Sequence, residues 1–289
     1  MSWRVVVVSK RSKLEYKMNY LVVRDNNVVR IHLSEIHTIM IESTAVSLTA
    51  MLMTKLQERK IKVIFCDNNR NPDSEVIPYY GCHNSTEKIK NQILWDKDYK
   101  DIVWAKIVEE KILNQAQLIE HINKDSHARL IDYSQNIEPG DKTNREAHAA
   151  KVYFNTLFGS QFSRRNDSTI NASLNYGYTI LLSAINREVV ANGYITQIGI
   201  FHDNMFNQFN ISSDLIEPLR PLVDKEVHSW GIIDELLPNN KMALVDLLNR
   251  KVEINHKSYF FLNALSEYCK SVFDAISAKN ITLMRFIKL

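Results

Sequence analysis

The stretch Asn84-Ser85-Thr86-Glu87-Lys88-Ile89-Lys90-Asn91-Gln92-Ile93-Leu94-Trp95, continued by Ala105-Lys106-Ile107-Val108-Glu109-Glu110-Lys111-Ile112-Leu113-Asn114-Gln115-Ala116-Gln117-Leu118-Ile119, is where the chain changes character. Asn84 and Glu87, three apart, have the form of a capping box, in which each side chain satisfies an unpaired N–H at a helix start. Beyond it the apolar spacing lengthens from two residues to about 3.6. Ala105, Val108, Ile112, Gln115 and Ile119 then mark one long helix. Residues 1–84 are therefore expected to form one domain and 85–289 another, all-α one.

Upstream the spacing is that of strands. Trp3 to Val8 is a β-branched run, Leu21-Val22-Val23 and Val28-Val29-Arg30-Ile31 flank the turn Asp25-Asn26-Asn27, and Ile36 to Ile41 follows. Ser43 or Thr44 offers an N-cap to a helix with Leu48, Leu52 and Leu56 at i, i+4, which leads into Val63-Ile64-Phe65. Asp67 to Asp73 reads as loop, and the strand signal ends near Tyr79-Tyr80-Gly81. The expected fold is α+β: a small, sandwich-like β-rich domain, a meander with one helix, followed by the larger helical domain. So many short strands leave sheet edges to cover, which suits a homodimer.

Downstream, one helix follows Pro139-Gly140 and runs to Phe158-Gly159, and another runs from Asn171 to Val190 and stops at Asn192-Gly193, where glycine suits the C′ position. Leu244 to Leu248 and Phe260 to Ile276 are expected as terminal helices. Seven glycines and six prolines in 289 residues are too few for a turn-rich all-β chain. With 36 Lys and Arg against 33 Asp and Glu, the formal charge of +3 and pI of 8.6 neither require nor exclude nucleic acid. Cys66, Cys82 and Cys269 form no C-x-x-C pair, which argues against a disulfide framework or thiolate zinc and for a reducing cytoplasm. The run Val5 to Val8 is too short for a signal-peptide core, and nothing approaches the roughly 18 apolar residues of a membrane span. No membrane association is expected.

The unusual polar residues gather in the middle of the helical half: Asn144-Arg145-Glu146-Ala147-His148-Ala149-Ala150-Lys151-Val152-Tyr153-Phe154, Asn171 to Tyr178, Gly199-Ile200-Phe201-His202-Asp203-Asn204, and Asp214-Leu215-Ile216-Glu217-Pro218-Leu219-Arg220-Pro221-Leu222-Val223-Asp224. A Glu, a His and a further acid supply oxygen and imidazole donors, a set suited to Mg2+ or Mn2+. Glu146 and His148, two apart on a helix, point to opposite sides and cannot share an ion. Asp214 and Glu217, three apart, share a face if that segment is helical, although Pro218 and Pro221 make it irregular or start it there. Plainer roles stand beside these: Thr143 and Glu146 fit a capping box, His202 a structural histidine, and Asp214 helix-start charge. Tyr176 and Tyr178 fit helix packing better than base stacking.

In this order, the E-x-x-A-A-x-x-Y-F helix, N-x-x-x-N-Y-G-Y, Gly-x-x-His and D-x-x-E-P-x-R-P-x-x-D resemble the CRISPR-associated spacer-acquisition integrase, the universal large subunit of the adaptation machinery. The resemblance spans essentially the whole chain, and Trp3-Arg4-Val5-Val6-Val7-Val8 with the compact length looks most like the type II branch, which accompanies a single-protein RNA-guided effector nuclease. It implies a metal-binding and catalytic trio of Glu146, His202 and Glu217, with Asp214 as an auxiliary acid, holding Mg2+ or Mn2+. It also implies homodimers joined through the N-terminal domain, a small ferredoxin-like partner that bridges two dimers into a heterohexamer, and contact with the effector nuclease complex. The implied reaction is strand transfer, in which a 3′-hydroxyl of a short foreign double-stranded DNA attacks a phosphodiester at the edge of a repeat. DNA is held mainly through its phosphates, so Arg145, Lys151, Arg164 and Arg165 are the expected contacts. Two other readings stay open: a helical metal phosphohydrolase built on His148, His202-Asp203 and Asp224, and a non-catalytic DNA-binding assembly subunit.

Overall fold

The computed structural model describes residues 3–78 and 82–289. The chain order is β1 (Arg4–Val8), β2 (Lys13–Lys17), β3 (Tyr20–Arg24), β4 (Val28–His32), β5 (Ile36–Ile41), β6 (Ser47–Leu48), α1 (Ala50–Glu58), β7 (Lys62–Cys66), β8 (Pro72–Glu75), α2 (Ser85–Ile93), α3 (Lys97–Ile119), α4 (Lys124–Gln135), α5 (Arg145–Phe158), α6 (Thr169–Ala191), α7 (Asn210–Leu215), α8 (Arg220–Ser229), α9 (Pro238–Asp246), β9 (Lys251–Ile254), β10 (Lys257–Phe260), α10 (Phe261–Ala278) and β11 (Ile287–Lys288). The chain is α+β, with strands predominating up to β8 and helices after it.

The strands are not one meander. β1, β5 and β7 run parallel with β8 antiparallel at the edge, in the order β1-β5-β7-β8, while β4-β3-β2-β6 form a second sheet. Parallel neighbours need crossovers; the β2-β3-β4 hairpins supply one, and α1 lies in the other. Leu14 and Leu21 of the second sheet meet Val6, Val8, Ile39, Ile41 and Val63 of the first, with Leu52 and Leu56 of α1 closing the same core. That is the expected sandwich. Every residue of β5 is buried because its alternate residue Met40 turns to the other side, joining Ile64, Cys66 and the helical core.

Two local expectations shift. The side chain of Thr49, not Ser43 or Thr44, caps α1 by accepting from the Leu52 N–H at 3.3 Å. The Asn84 side chain makes no cap bond to the backbone of α2 and instead donates to Glu87 Oε2 at 3.3 Å. The end of the strand signal at 79–81 lies outside the described residues. The helical half also carries a three-stranded sheet, β10-β9-β11, whose hairpin turns at Asn255-His256 with φ of 52° and 59°. It packs against α10. Among the described residues no helix is long and apolar enough to cross a membrane.

Candidate active site

α3 is the spine of the site. Its buried face carries Trp104, Ile107, Val108 and Ile112, and three buried polar residues, Lys111, Asn114 and Gln115, lie among them. A buried ammonium needs anions close by. Lys111 Nζ donates to Glu146 Oε1 at 2.6 Å and to Glu217 Oε2 at 2.5 Å.

Glu146 stands in the first turn of α5. The helix start is satisfied by Asp141, whose carboxylate accepts from the Arg145 N–H at 2.8 Å and the Glu146 N–H at 3.0 Å. Glu146 is thereby released from the capping role and faces Lys111. Glu217 opens a tight 3-10 turn, Glu217–Leu219, between α7 and α8, with Pro218 within it and Pro221 in the first turn of α8, as the two prolines demand. Asn114 pins this turn to α3 by donating to the Pro218 carbonyl at 2.8 Å.

Arg220 Nε donates to the second oxygen of Glu217 at 2.9 Å. Its guanidinium lies 4.5 Å over the ring of Tyr178, and Arg164 lies over the same ring at 5.4 Å. Burial alone would raise the Glu217 carboxyl, but Arg220 and Lys111 hold it down at about 2. Burial likewise works against the Lys111 ammonium, and Glu217 and Glu146 overcome it and raise its pKa. Both cations thus keep Glu217 ionised in a dry environment.

His202 comes from the loop between α6 and α7. Asp214, fully buried on α7, gathers that loop: Oδ2 accepts from the N–H of Ile200 at 2.6 Å and Phe201 at 3.1 Å, and Oδ1 accepts from the His202 N–H at 3.0 Å and lies 2.7 Å from its Nδ1. The hydrogen bond to Asp214 raises the His202 pKa against the opposing effect of burial, and Glu217 and Glu146 add to the rise. With Nδ1 committed to Asp214, Nε2 is the nitrogen that can take a ligand bond or a proton. Gly199 has no alternative here, because a Cβ would stand 2.2 Å from the His202 carbonyl oxygen.

Glu146 and Glu217 therefore meet through Lys111, and the charges of both reach His202. Asp214 does not join Glu217 on a common face; it props the His202 loop from behind. Among the described residues no three His, Cys, Asp or Glu side chains stand close enough to chelate one ion as they are. The donor set nevertheless suits a hard divalent cation, and the Lys111 ammonium marks a cation position between the two carboxylates. The phosphohydrolase constellation is not assembled: Asp224 is fully buried and accepts from Tyr153 at 2.9 Å and from Tyr178, while His148 packs by Tyr133, with ring centroids 6.2 Å apart.

Of the expected DNA contacts, Lys151 is exposed on α5 in a groove shared with Arg129, Tyr133, His148 and Asn155. Arg145 lies 5.5 Å over the Tyr133 ring. Arg165 is exposed, whereas Arg164 is tied to the side chains of Asn171 and Asn175 on α6 and so fastens its own loop. Tyr176 and Tyr178 are buried packing residues. Lys111 and the clamping role of Asp214 escaped the sequence reading; the available signal was a lysine on the apolar stripe of a long helix.

Residues 5–231 match the family described as CRISPR associated protein Cas1. A CRISPR-associated endonuclease Cas1 of Neisseria meningitidis serogroup C (strain 8013) is 32% identical over 286 residues, 97% of this chain and 94% of that protein. Among solved structures, a casposase bound to integration product superposes with a TM-score of 0.78 at 17% identity, covering 98% of this chain and 93% of the other. A Cas6-RT-Cas1–Cas2 complex superposes with a TM-score of 0.73 at 18% identity, covering 99% of this chain and 36% of its counterpart. At these identities the two structural likenesses establish the fold.

Proposed function

The chain belongs to the CRISPR-associated protein Cas1 family, and we propose that it is a divalent-metal-dependent DNA integrase and endonuclease of CRISPR adaptation, of the type II branch. The observation that carries the reading is the pair Glu146 and Glu217 held on one buried cation beside a histidine fixed by Asp214. A neighbour in the fold is a casposase bound to integration product, and the Neisseria relative is an endonuclease.

Glu146, Glu217 and Nε2 of His202 would hold Mg2+ or Mn2+, with the Lys111 ammonium giving way. Such an ion stabilises charge building on a phosphoryl oxygen. The chain's own part is preorganisation: Asp214 fixes the His202 ring, Arg220 on Tyr178 orients Glu217, and Asp141 aims Glu146. In strand transfer a 3′-hydroxyl oxygen bonds to phosphorus, and the bond to the repeat strand's 3′ oxygen breaks. The attacking hydroxyl loses a proton, the leaving oxygen gains one, and one phosphodiester replaces another.

The proposed assembly is a homodimer through the β-rich half, where edge strand β4 exposes Val28 and Val29. A small ferredoxin-like partner would join two dimers into a cytoplasmic heterohexamer on double-stranded DNA. The presence of Cas2 beside Cas1 in a structural neighbour supports such a partner. Lys151, Arg145 and Arg165 are the proposed phosphate contacts.

The test is joining of a short duplex to a repeat-bearing plasmid with manganese. Glu146→Gln, His202→Ala and Glu217→Gln should each abolish it while DNA binding persists, since a neutral amide weakens the hold on a hard cation and alanine removes a ligand. Activity retained in all three would refute the trio, and wild-type protein that binds the duplex without joining it would favour the non-catalytic assembly reading instead.

A further inference from the structure

The loop that carries His202 ends in an apolar tip that packs on nothing. Met205 and Phe206 are 86% and 87% exposed, the most exposed large apolar side chains of the helical half apart from Ile232. They occupy the two central positions of a turn closed by the Asn207 N–H on the Asn204 carbonyl at 3.0 Å. Asparagines brace that turn from inside. Asn204 Oδ1 accepts from the Phe206 N–H at 2.9 Å, Asn210 Nδ2 donates to the Asn204 carbonyl at 3.1 Å, and Asn207 Nδ2 donates to Ser213 Oγ at 3.0 Å. At its other end the loop is held by the Asp214 clamp and by Phe201, whose ring stacks flat on Trp104 at 4.5 Å.

A fold that hydrogen-bonds a loop this thoroughly and then aims methionine and phenylalanine at water is presenting them to a ligand. The charge pattern narrows its chemistry. From Asn192 to Leu219 there is no Lys or Arg, so the loop has nothing with which to neutralise phosphates. It offers apolar wedges flanked by amides, the combination that unstacks base steps from the minor groove. Reach supplies the rest. Phe206 is four residues from His202, so the two α-carbons are at most about 15 Å apart, roughly four base steps of DNA. A duplex with its reacting phosphate at His202 therefore lies within reach of this tip.

We infer that Met205 and Phe206 form a wedge that enters the base stack within about four steps of the joined phosphodiester, opening the duplex so that the phosphate reaches the Glu146–His202–Glu217 cluster. The inference rests on the proposed DNA reaction and assigns it a substrate-distorting element.

The experiment uses the full chain with manganese and repeat-bearing duplexes carrying 2-aminopurine at each of the four steps on either side of the junction. Wild-type protein should brighten one step several-fold. Met205→Ala/Phe206→Ala should lose that signal and join paired DNA at least tenfold more slowly, about 1.4 kcal/mol. It should recover the wild-type rate on a duplex mismatched at that step, with melting temperature and affinity for unrelated duplex unchanged. Wild-type protein that joins DNA with no step brightening overturns the wedge and leaves the proposed function standing. A double variant that is equally slow on mismatched DNA, or that is defective only in binding another protein, also overturns it. Wild-type protein that joins no DNA under any of these conditions removes the proposed function and the wedge with it.

Discussion

Replacing Lys111 with methionine removes the one positive charge that Glu146 and Glu217 share while keeping an unbranched chain of similar length. Its two bonds of 2.6 and 2.5 Å put the facing carboxylate oxygens about 5 Å apart at most. Two unit charges at that distance repel by about 3 kcal/mol at an effective dielectric of 20. Arg220 stays on Glu217 and offsets part of this. Stripping one partner from a buried ionic cluster generally costs about 3–5 kcal/mol. The expected loss in metal-free Lys111→Met at pH 8 is therefore about 3 kcal/mol.

The loss should depend on conditions in a defined direction. Without Lys111 the Glu217 carboxyl of the folded state is held down by Arg220 alone and titrates higher than in wild type, so wild type gives up more stability than the variant as pH falls, and the deficit grows as pH rises and shrinks as pH falls. A divalent ion replaces the missing charge and stabilises the variant by mass action. The assay is urea denaturation of wild type and Lys111→Met at pH 8 and pH 4, each in chelator and in millimolar manganese. The deficit should be largest at pH 8 in chelator and shrink in the other three conditions, and manganese affinity should rise in the variant because its competitor is gone. A deficit equal in all four conditions would mean that Lys111 contributes packing alone, and the electrostatic account of the site would fail.

Asp214→Asn should bring the His202 ring, followed by proton NMR, back from its raised pKa, because the charged acceptor on Nδ1 is lost. The stability tied to that raised pKa is present below about 6.5 and disappears as pH climbs past the folded value, so wild type and variant should differ more at pH 6 than at pH 9; an unmoved titration would count against the clamp. Asp224 is pushed up to about 6 by burial, against the hydrogen bonds from Tyr178 and Tyr153, so the folded state keeps a proton that the unfolded chain sheds above about 4. The stability that Asp224 contributes should fall across pH 4 to 6, by about 3 kcal/mol at most, so wild type should lose stability relative to Asp224→Asn over that window; parallel curves would refute it. Gly199→Ala should cost about 1–3 kcal/mol and slow strand transfer together, because the new methyl meets the backbone carbonyl of His202. Unchanged melting and rate would show that the loop yields.

The long elements were legible because their spacing is local. α3, α5, α6 and α10 lie close to where the apolar period of about 3.6 put them, and Asn192-Gly193 ends α6 with Gly193 at φ 86°. The hairpins that went unread turn on residues that do not announce a turn. β2 joins β3 through Met18-Asn19, with φ of 47° and 68°, and β9 joins β10 through Asn255-His256, where Asn-Gly or Asp-Gly would have been the recognisable signal. β2 itself, Lys13 to Lys17, sets three charged residues against Leu14 and Tyr16, so only half of its alternation is apolar.

In the site the same rule separates what could be read from what could not. Glu146, His202, Asp214 and Glu217 stand inside motifs whose spacing is visible along the chain, whereas what those residues do depends on partners far away in it. Glu146 meets Lys111 across 35 residues and Glu217 meets it across 106, while Asp214 closes on His202 from 12 residues on. Capping-box spacing at Thr143 and Glu146 was satisfied on paper, yet Asp141 was better placed to take the two N–H groups, and that substitution of one carboxylate for another leaves Glu146 available for chemistry. A lysine on the apolar stripe of α3 is costly unless anions are buried with it. Lys111 is therefore the residue from which the position of the carboxylate pair follows, and it belongs to none of the motifs.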